Sequence, residues 1–221
     1  MENHKKEEQQ INRIQANVIK RILLLPQSTP TETLYIETGL LDITTITNKN
    51  RMNYLNKRND KPDTITTKIM LKNTKGGWKD TTDKITNTHN NNPTQAFRNK
   101  LLKSGETKTK TKYLINNTTW EPGKRKNYMN KLTRKEASTI FKARTRMLDI
   151  KENYRGKYTD NKCRACKQEP ETQEHILESC TKIHDNHTTH VTKDEIFDED
   201  ITTLRNTTNK INHLITKLTE V

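Results

Sequence analysis

No apolar run in this 221-residue sequence approaches the about 18–20 residues of a membrane-spanning helix. The amino-terminal stretch Met1-Glu2-Asn3-His4-Lys5-Lys6-Glu7-Glu8 also has no apolar core of the kind a secretory signal needs. The expectation is an intracellular protein, nuclear or cytoplasmic, with no membrane partner. Apolar residues make up 29% of the chain and aromatic ones 5%, where an average soluble protein has about 45–50% apolar residues with glycine included. The core must be small. Three cysteines cannot all pair with one another. Their clustering with histidine between Cys163 and Cys180 argues against a disulfide framework and for metal chemistry in a reducing compartment. No repeat of about 20–50 residues is present, which disfavours a solenoid.

Acids are in short supply: 27 against 41 lysines and arginines, a net charge of +14. Such an excess favours a polyanionic partner, RNA or DNA. It is also unevenly placed. From Arg98 to Lys157 there are 18 bases and 5 acids, whereas 158–221 hold 8 bases and 12 acids. The middle therefore carries the anion-binding expectation, with Trp120 and Tyr128 as stacking platforms among Lys124, Arg125 and Lys126. A merely solvated face is the plain alternative.

Roughly a quarter of the residues are threonine or asparagine, whose side chains compete with helical hydrogen bonds, yet helix signals dominate. Ile11, Ile14, Val18, Ile22 and Leu25 recur at helical spacing and predict an amphipathic helix over 7–25 that Pro26 ends. Thr29-Pro30 and Gly39 bracket a short second helix, with the threonine as cap and proline at the first helical position. Asp42 can cap a third running to about Lys57, although the β-branched run 43–47 could equally be extended. Breakers at Pro62, Gly76-Gly77 and Asn90-Asn91-Asn92-Pro93 predict a loop-rich insertion over 58–97. Thr133 and Glu136 form a capping-box sequence opening a helix to about Leu148. On a helical wheel Ala137, Ile140, Phe141, Met147 and Leu148 share its apolar side, and Lys135, Lys142 and Arg146 lie opposite as phosphate contacts. Arg134 adds a charge at its start. Arg144 projects from the apolar side and requires a carboxylate, a carbonyl cluster or a phosphate.

Cys163-x2-Cys166-x8-His175-x4-Cys180 supplies three thiolates and one imidazole, the ligand set of a closed structural zinc site. Four protein ligands leave no position for a catalytic water. Thr172 is placed to cap the short helix carrying His175 and Cys180. His184, His187 and His190 are competing ligands or solvated side chains. The fold class expected is mostly α. It comprises a helical segment 1–57, the insertion 58–97, a basic helical segment 98–157, a CCHC zinc module 158–190 and a carboxy-terminal helix 191–221, with flexible loops between.

Asn12-Arg13-Ile14-Gln15, Arg21-Ile22-Leu23-Leu24-Leu25-Pro26-Gln27-Ser28-Thr29-Pro30 and Glu37-Thr38-Gly39-Leu40 resemble the segment after the polymerase core in non-LTR (LINE-like) retrotransposon reverse transcriptases. Phe141-Lys142-Ala143-Arg144-Thr145-Arg146-Met147-Leu148, followed by Cys163, Cys166, Glu171-Thr172-Gln173-Glu174-His175-Ile176-Leu177 and Cys180, resembles their carboxy-terminal cysteine-histidine motif. The resemblance implies the thumb and zinc-containing, nucleic-acid-binding end of a multidomain protein that nicks DNA and primes reverse transcription from the nick. Polymerase and nuclease chemistry need clustered carboxylates. The sequence carries no Tyr/Phe-x-Asp-Asp turn, which Tyr158-Thr159-Asp160-Asn161 only echoes, and 181–221 hold no Pro-Asp followed by an acid-x-Lys nuclease triplet. A non-catalytic, severed end of such an element is expected, gripping RNA or target DNA. The alternative is a zinc-stabilised interaction module whose helices at 7–25 and 201–219 dock on a separate reverse transcriptase core.

Overall fold

A computed structural model describes residues 2–59, 82, 83, 87, 92–154, 156–184 and 189–220. The chain is mostly helical, and the described residues contain no strand beyond an isolated bridge between Lys162 and Pro170. No described helix is long and apolar enough to cross a membrane. Helices α1 (Glu2–Ile22), α2 (Thr31–Thr38) and α3 (Ile43–Asn59) form the amino-terminal part. A hairpin of α4 (Pro93–Thr107) and α5 (Thr109–Asn117) follows. The short α6 (Tyr128–Lys131) leads into α7 (Arg134–Arg144). After the cysteine-histidine segment come α8 (Lys193–Phe197) and α9 (Ile201–Thr219).

α7 lies between two apolar cores. Phe141 enters a cluster with Ala16, Ile19, Leu34, Phe97 and Leu114, while Ala143 enters another with Cys163, Ile176, Cys180, Ile211 and Leu214. The cysteine segment thus shares its core with α7 and α9. The capping box forms as expected: Thr133 Oγ1 accepts from Glu136 N–H and a Glu136 carboxylate oxygen accepts from Thr133 N–H at 2.7 Å.

Several expectations need correction. Ile11, Ile14, Val18 and Ile22, predicted to pack, are 44–62% exposed. Leu25 is buried, but beyond the helix end. The inner face of α1 instead carries Ala16, Ile19, Asn12 and Gln15. Asn12 Oδ1 caps the start of α3 by accepting from Ile43 N–H at 3.0 Å, and Gln15 Oε1 accepts from Tyr35 Oη at 3.1 Å. Polar satisfaction at the half-buried start of α3 and at the Tyr35 hydroxyl outweighs the apolar periodicity. In α2 the helix starts at Thr31, with Pro30 at the cap position and no side-chain cap. The third helix forms, and Asp42 Oδ1 accepts from Thr45 N–H at 2.7 Å. At Asn92-Pro93 a helix begins instead of a loop: Asn92 Oδ1 accepts from Gln95 N–H at 3.0 Å, with Pro93 at the first helical position. Most of 58–92 lies outside the described residues.

The helix predicted to reach Leu148 ends at Arg144. Arg146 adopts φ 56° and completes a Schellman turn, in which Met147 N–H donates to Lys142 O at 2.7 Å and Arg146 N–H to Ala143 O at 3.2 Å. An arginine in this conformation costs about 1–2 kcal/mol, offset by the ion pairs described below. No glycine marks the stop, so nothing in the local sequence announces it.

Gly39 places the basic segment. Its φ is +67°, its carbonyl accepts from Gly123 N–H at 2.8 Å, and a Cβ there would lie 1.9 Å from the Lys124 carbonyl oxygen. Gly39→Ala is expected to destabilise the fold by at least about 2 kcal/mol, combining left-handed strain with overpacking against backbone. Chemical denaturation measures this, and a loss within about 0.5 kcal/mol would mean the 123–125 segment is not held against α2.

Candidate metal centre

The candidate metal centre is built from a tight knuckle and a widened turn. Around the knuckle, Cys163 N–H donates to Glu169 O at 2.7 Å and Lys167 N–H returns to Cys163 O at 3.0 Å. This folds Cys163 and Cys166 to one side. Thr172 Oγ1 then accepts from His175 N–H at 3.2 Å, as its position predicts. His175–Ser179 forms a π-type turn closed by Cys180 N–H donating to His175 O at 2.8 Å. In an α-helix residues five apart would point about 140° away from each other. The wider turn narrows that divergence and brings the two ligands toward one point.

The ligand atoms of Cys163, Cys166, His175 and Cys180 all lie within 4.8 Å of one another, a group that can hold a metal ion. Cys163 and Cys180 sulfurs are 3.8 Å apart, and Cys166 Sγ is 3.3 Å from His175 Nε2. Nδ1 of His175 faces Glu169 Oε2 at 3.0 Å and Ser179 Oγ at 3.2 Å. These acceptors hold the ring with Nε2 toward the thiols, the outer-sphere arrangement typical of histidine ligands. Neither Glu169 nor Ser179 was marked by ligand spacing alone. Burial pushes the Cys163 thiol up to about 12. Burial also raises Cys166, but hydrogen bonds from the Glu169 and Gln168 backbone outweigh it and bring that thiol down to about 6.

His184 and His190 stand outside the ligand group. His184 Nε2 lies 3.1 Å from Ile176 O, and its ring stacks on His190 at 4.3 Å. His184 is therefore a hydrogen-bonded residue rather than a solvated one. His187 lies outside the described residues. The cysteine segment is anchored by Glu171, fully buried, whose carboxylate accepts from Arg164 at 2.8 Å and from Lys151 N–H at 2.8 Å. Desolvation alone would raise the Glu171 carboxyl, but the Arg164 guanidinium and backbone donors hold it below its usual range.

The expected phosphate contacts divide. Lys124, Arg125, Arg134 and Lys135 are exposed. Lys124 pairs loosely with Glu121 at 2.6 Å, and Arg125 donates to Asn130 at 3.2 Å. Arg134 reaches the end of α1, donating to Arg21 O at 2.7 Å and to Ile22 O. This joins exposed Arg21 to the same surface. Lys142 is half-buried, with its ammonium pKa lowered by desolvation.

Four other residues are not free to reach a surface ligand. Lys126 is buried against Thr119 O and Glu199. Arg146, expected opposite the apolar face, lies past the helix end and pairs with Glu174 at 2.6 Å and Glu152 at 3.3 Å. Tyr128, an expected stacking platform, is 1% exposed, and its hydroxyl donates to Glu37 Oε1 at 2.7 Å. Burial and then the Glu37 charge raise its pKa far above the usual tyrosine range. Arg144 takes the internal option: NH1 donates to Glu37 Oε1 at 2.9 Å, Nε to Ile196 O at 2.9 Å and NH2 to Asp198 O at 2.8 Å. Trp120 is half-buried beneath the Arg98 guanidinium, 5.7 Å from the ring centre.

Comparison of the chain with protein-family models, with curated proteins and with solved structures finds no match.

Proposed function

We propose that this chain is a non-catalytic nucleic-acid-binding unit, held together by a structural zinc ion, that grips RNA or target DNA through an exposed cationic ridge. The observation that carries the reading is the convergence of a Cys3His group within 4.8 Å in a chain that also keeps a surplus of cations at its surface. Zinc suits the ligand chemistry and the size. At a Zn–S distance of about 2.3 Å the edge of a tetrahedron is about 3.8 Å, and the Cys163–Cys180 separation is 3.8 Å. Four protein ligands give zinc an architectural task. The ridge is Lys124, Arg125, Lys131, Arg134 and Lys135, all exposed within twelve residues of chain, with Arg21 alongside.

The acidic run near α8 supports the non-catalytic reading. Glu195 completes a capping box with Thr192 and pairs with Lys210 at 2.7 Å, and Asp200 caps α9. By its resemblance to non-LTR reverse transcriptases, the unit would serve a polymerase supplied elsewhere.

Binding of RNA and DNA oligonucleotides over a salt series tests this. Affinity is expected to fall steeply with salt, and a Lys124→Glu/Lys135→Glu variant is expected to weaken binding of all sequences alike. Its log–log salt slope should flatten by about two, close to one per lost phosphate contact. Affinity indifferent to salt would defeat the reading.

A second reading has its own support. Ile11, Ile14, Val18 and Ile22 form an exposed apolar stripe along α1, as expected of a helix that docks on a reverse transcriptase core. A stoichiometric complex with such a core that retains no RNA would favour it.

A further inference from the structure

The tetrapeptide Tyr158-Thr159-Asp160-Asn161, which resembles part of a polymerase motif but lacks its second carboxylate, has a different setting in the fold. It forms one wall of an open cleft of about 560 Å³ beside the metal knuckle, lined also by Tyr154 and by Pro170. That volume lies in the range of small-ligand sites. Two aromatic rings and a proline supply flat apolar faces. Cations attend the rings: Lys157 Nζ sits 5.3 Å from the Tyr154 centre and 5.7 Å from that of Tyr158, and Lys151 Nζ is 5.3 Å from Tyr158.

The cavity's acids are already neutralised. Asp160 pairs with Lys151 at 2.8 Å, Glu171 with Arg164 at 2.8 Å and Glu152 with Arg146 at 3.3 Å. Lys157 has no carboxylate partner among the described residues. A cationic ligand would therefore meet a net positive field, whereas a planar ring carrying an anionic group meets both features it needs. The floor is also fixed in advance. Buried Glu171 is held by Arg164 and by Lys151 N–H at 2.8 Å, and Glu171 N–H donates to Asn161 O at 2.8 Å. The cavity wall is thereby tied to the segment that carries the metal ligands.

We infer that this cavity takes one unstacked nucleotide of a single strand: its base takes the place of the Lys157 ammonium over the Tyr154 and Tyr158 rings, and its phosphate draws that flexible ammonium to itself. The inference rests on the nucleic-acid reading above and deepens it. The ridge at 124–135 contacts phosphates of any strand, and the cavity adds a preference for single-stranded RNA or DNA over duplex. A duplex keeps its bases stacked and cannot enter.

The test uses the full chain with zinc, and fluorescence anisotropy with a single-stranded oligonucleotide and its matched duplex. Tyr158→Ala is expected to weaken single-strand binding about ten-fold and duplex binding less than two-fold, with the salt slope unchanged. Tyr158→Phe should restore single-strand affinity, because the ring and not the hydroxyl does the stacking. Zinc content and circular dichroism confirm that each variant is folded. Independently, titrating the unaltered protein with AMP should shift the amide resonances of Gly156, Tyr158 and Asn161.

Equal losses for both strands, or no loss, would overturn the cavity's role while leaving the ridge intact, as would AMP shifts confined to other regions. Failure of the unaltered chain to bind either strand at low salt would remove both readings together.

Discussion

Replacing Arg144 with methionine is expected to cost about 3–5 kcal/mol of folding stability, the range for breaking a buried ion pair by removing one partner. Against a total of about 5–15 kcal/mol for a typical domain, this removes a large fraction of the stability margin. Arg144 and Glu37 are both fully buried, 107 positions apart in sequence, and Arg144 also serves the carbonyls of Ile196 and Asp198. Its guanidinium carbon lies 4.7 Å from the Tyr128 ring centre. Removing it leaves the Glu37 charge with only the Tyr128 hydroxyl and takes the arginine donors from two carbonyls at the junction of α2, α6, α7 and α8.

Lysine cannot replace the fork, because one ammonium on a flexible stem does not reach three acceptors in fixed directions. Arg144→Lys should therefore also be destabilising, by more than about 1 kcal/mol. The double variant Arg144→Met/Glu37→Leu should recover much of the loss, since it takes away the uncompensated charge together with its partner. Urea denaturation of the three variants reads these differences. A double variant no more stable than Arg144→Met would show that the charge is not what the arginine neutralises.

Metal removal should have the other large effect. Structural zinc contributes apparent free energies of about 10–16 kcal/mol in small zinc-finger peptides. Here Cys163 and Cys180 lie in the same apolar cluster as Ile211, Leu214 and Leu218 of α9. Chelation, or Cys180→Ser, is therefore expected to melt α9 and the end of α7 along with the knuckle. One zinc per chain should be lost, with a drop in helical signal larger than the short turn His175–Ser179 could account for. Because burial holds Cys163 protonated up to about 12 without a cation, metal entry must release a proton there. Apparent affinity should rise with pH across the neutral range. Mass spectrometry under native conditions and circular dichroism with and without chelator measure both effects. A chain that keeps its full thermal transition without metal would show that the thiols merely pack.

Much of this was legible locally. Capping at Thr133 and Glu136, the glycine stop after α2 and the carboxy-terminal helix are written in residues a few positions apart, where backbone satisfaction leaves little choice. Cys163, Cys166, His175 and Cys180 were legible for the same reason, since ligand type and spacing are themselves the signal. The end of α7 was not legible, because Arg146 takes a conformation usually left to glycine and is held there by Glu152, Glu174 and the Tyr113 ring at 5.3 Å. Nor was the inner face of α1, where Asn12 and Gln15 satisfy distant backbone groups and leave the isoleucines outside.

By itself the sequence determined a helical chain with a four-ligand metal group and a basic middle, since composition, caps and ligand spacing act over short range. Only the tertiary structure decided which cations remain available. Arg144, Arg146 and Lys126 each find an acid far along the chain, and a charge taken out of water must be neutralised by whatever folding brings beside it. Lys124, Arg125 and Lys135 meet no such demand and stay at the surface.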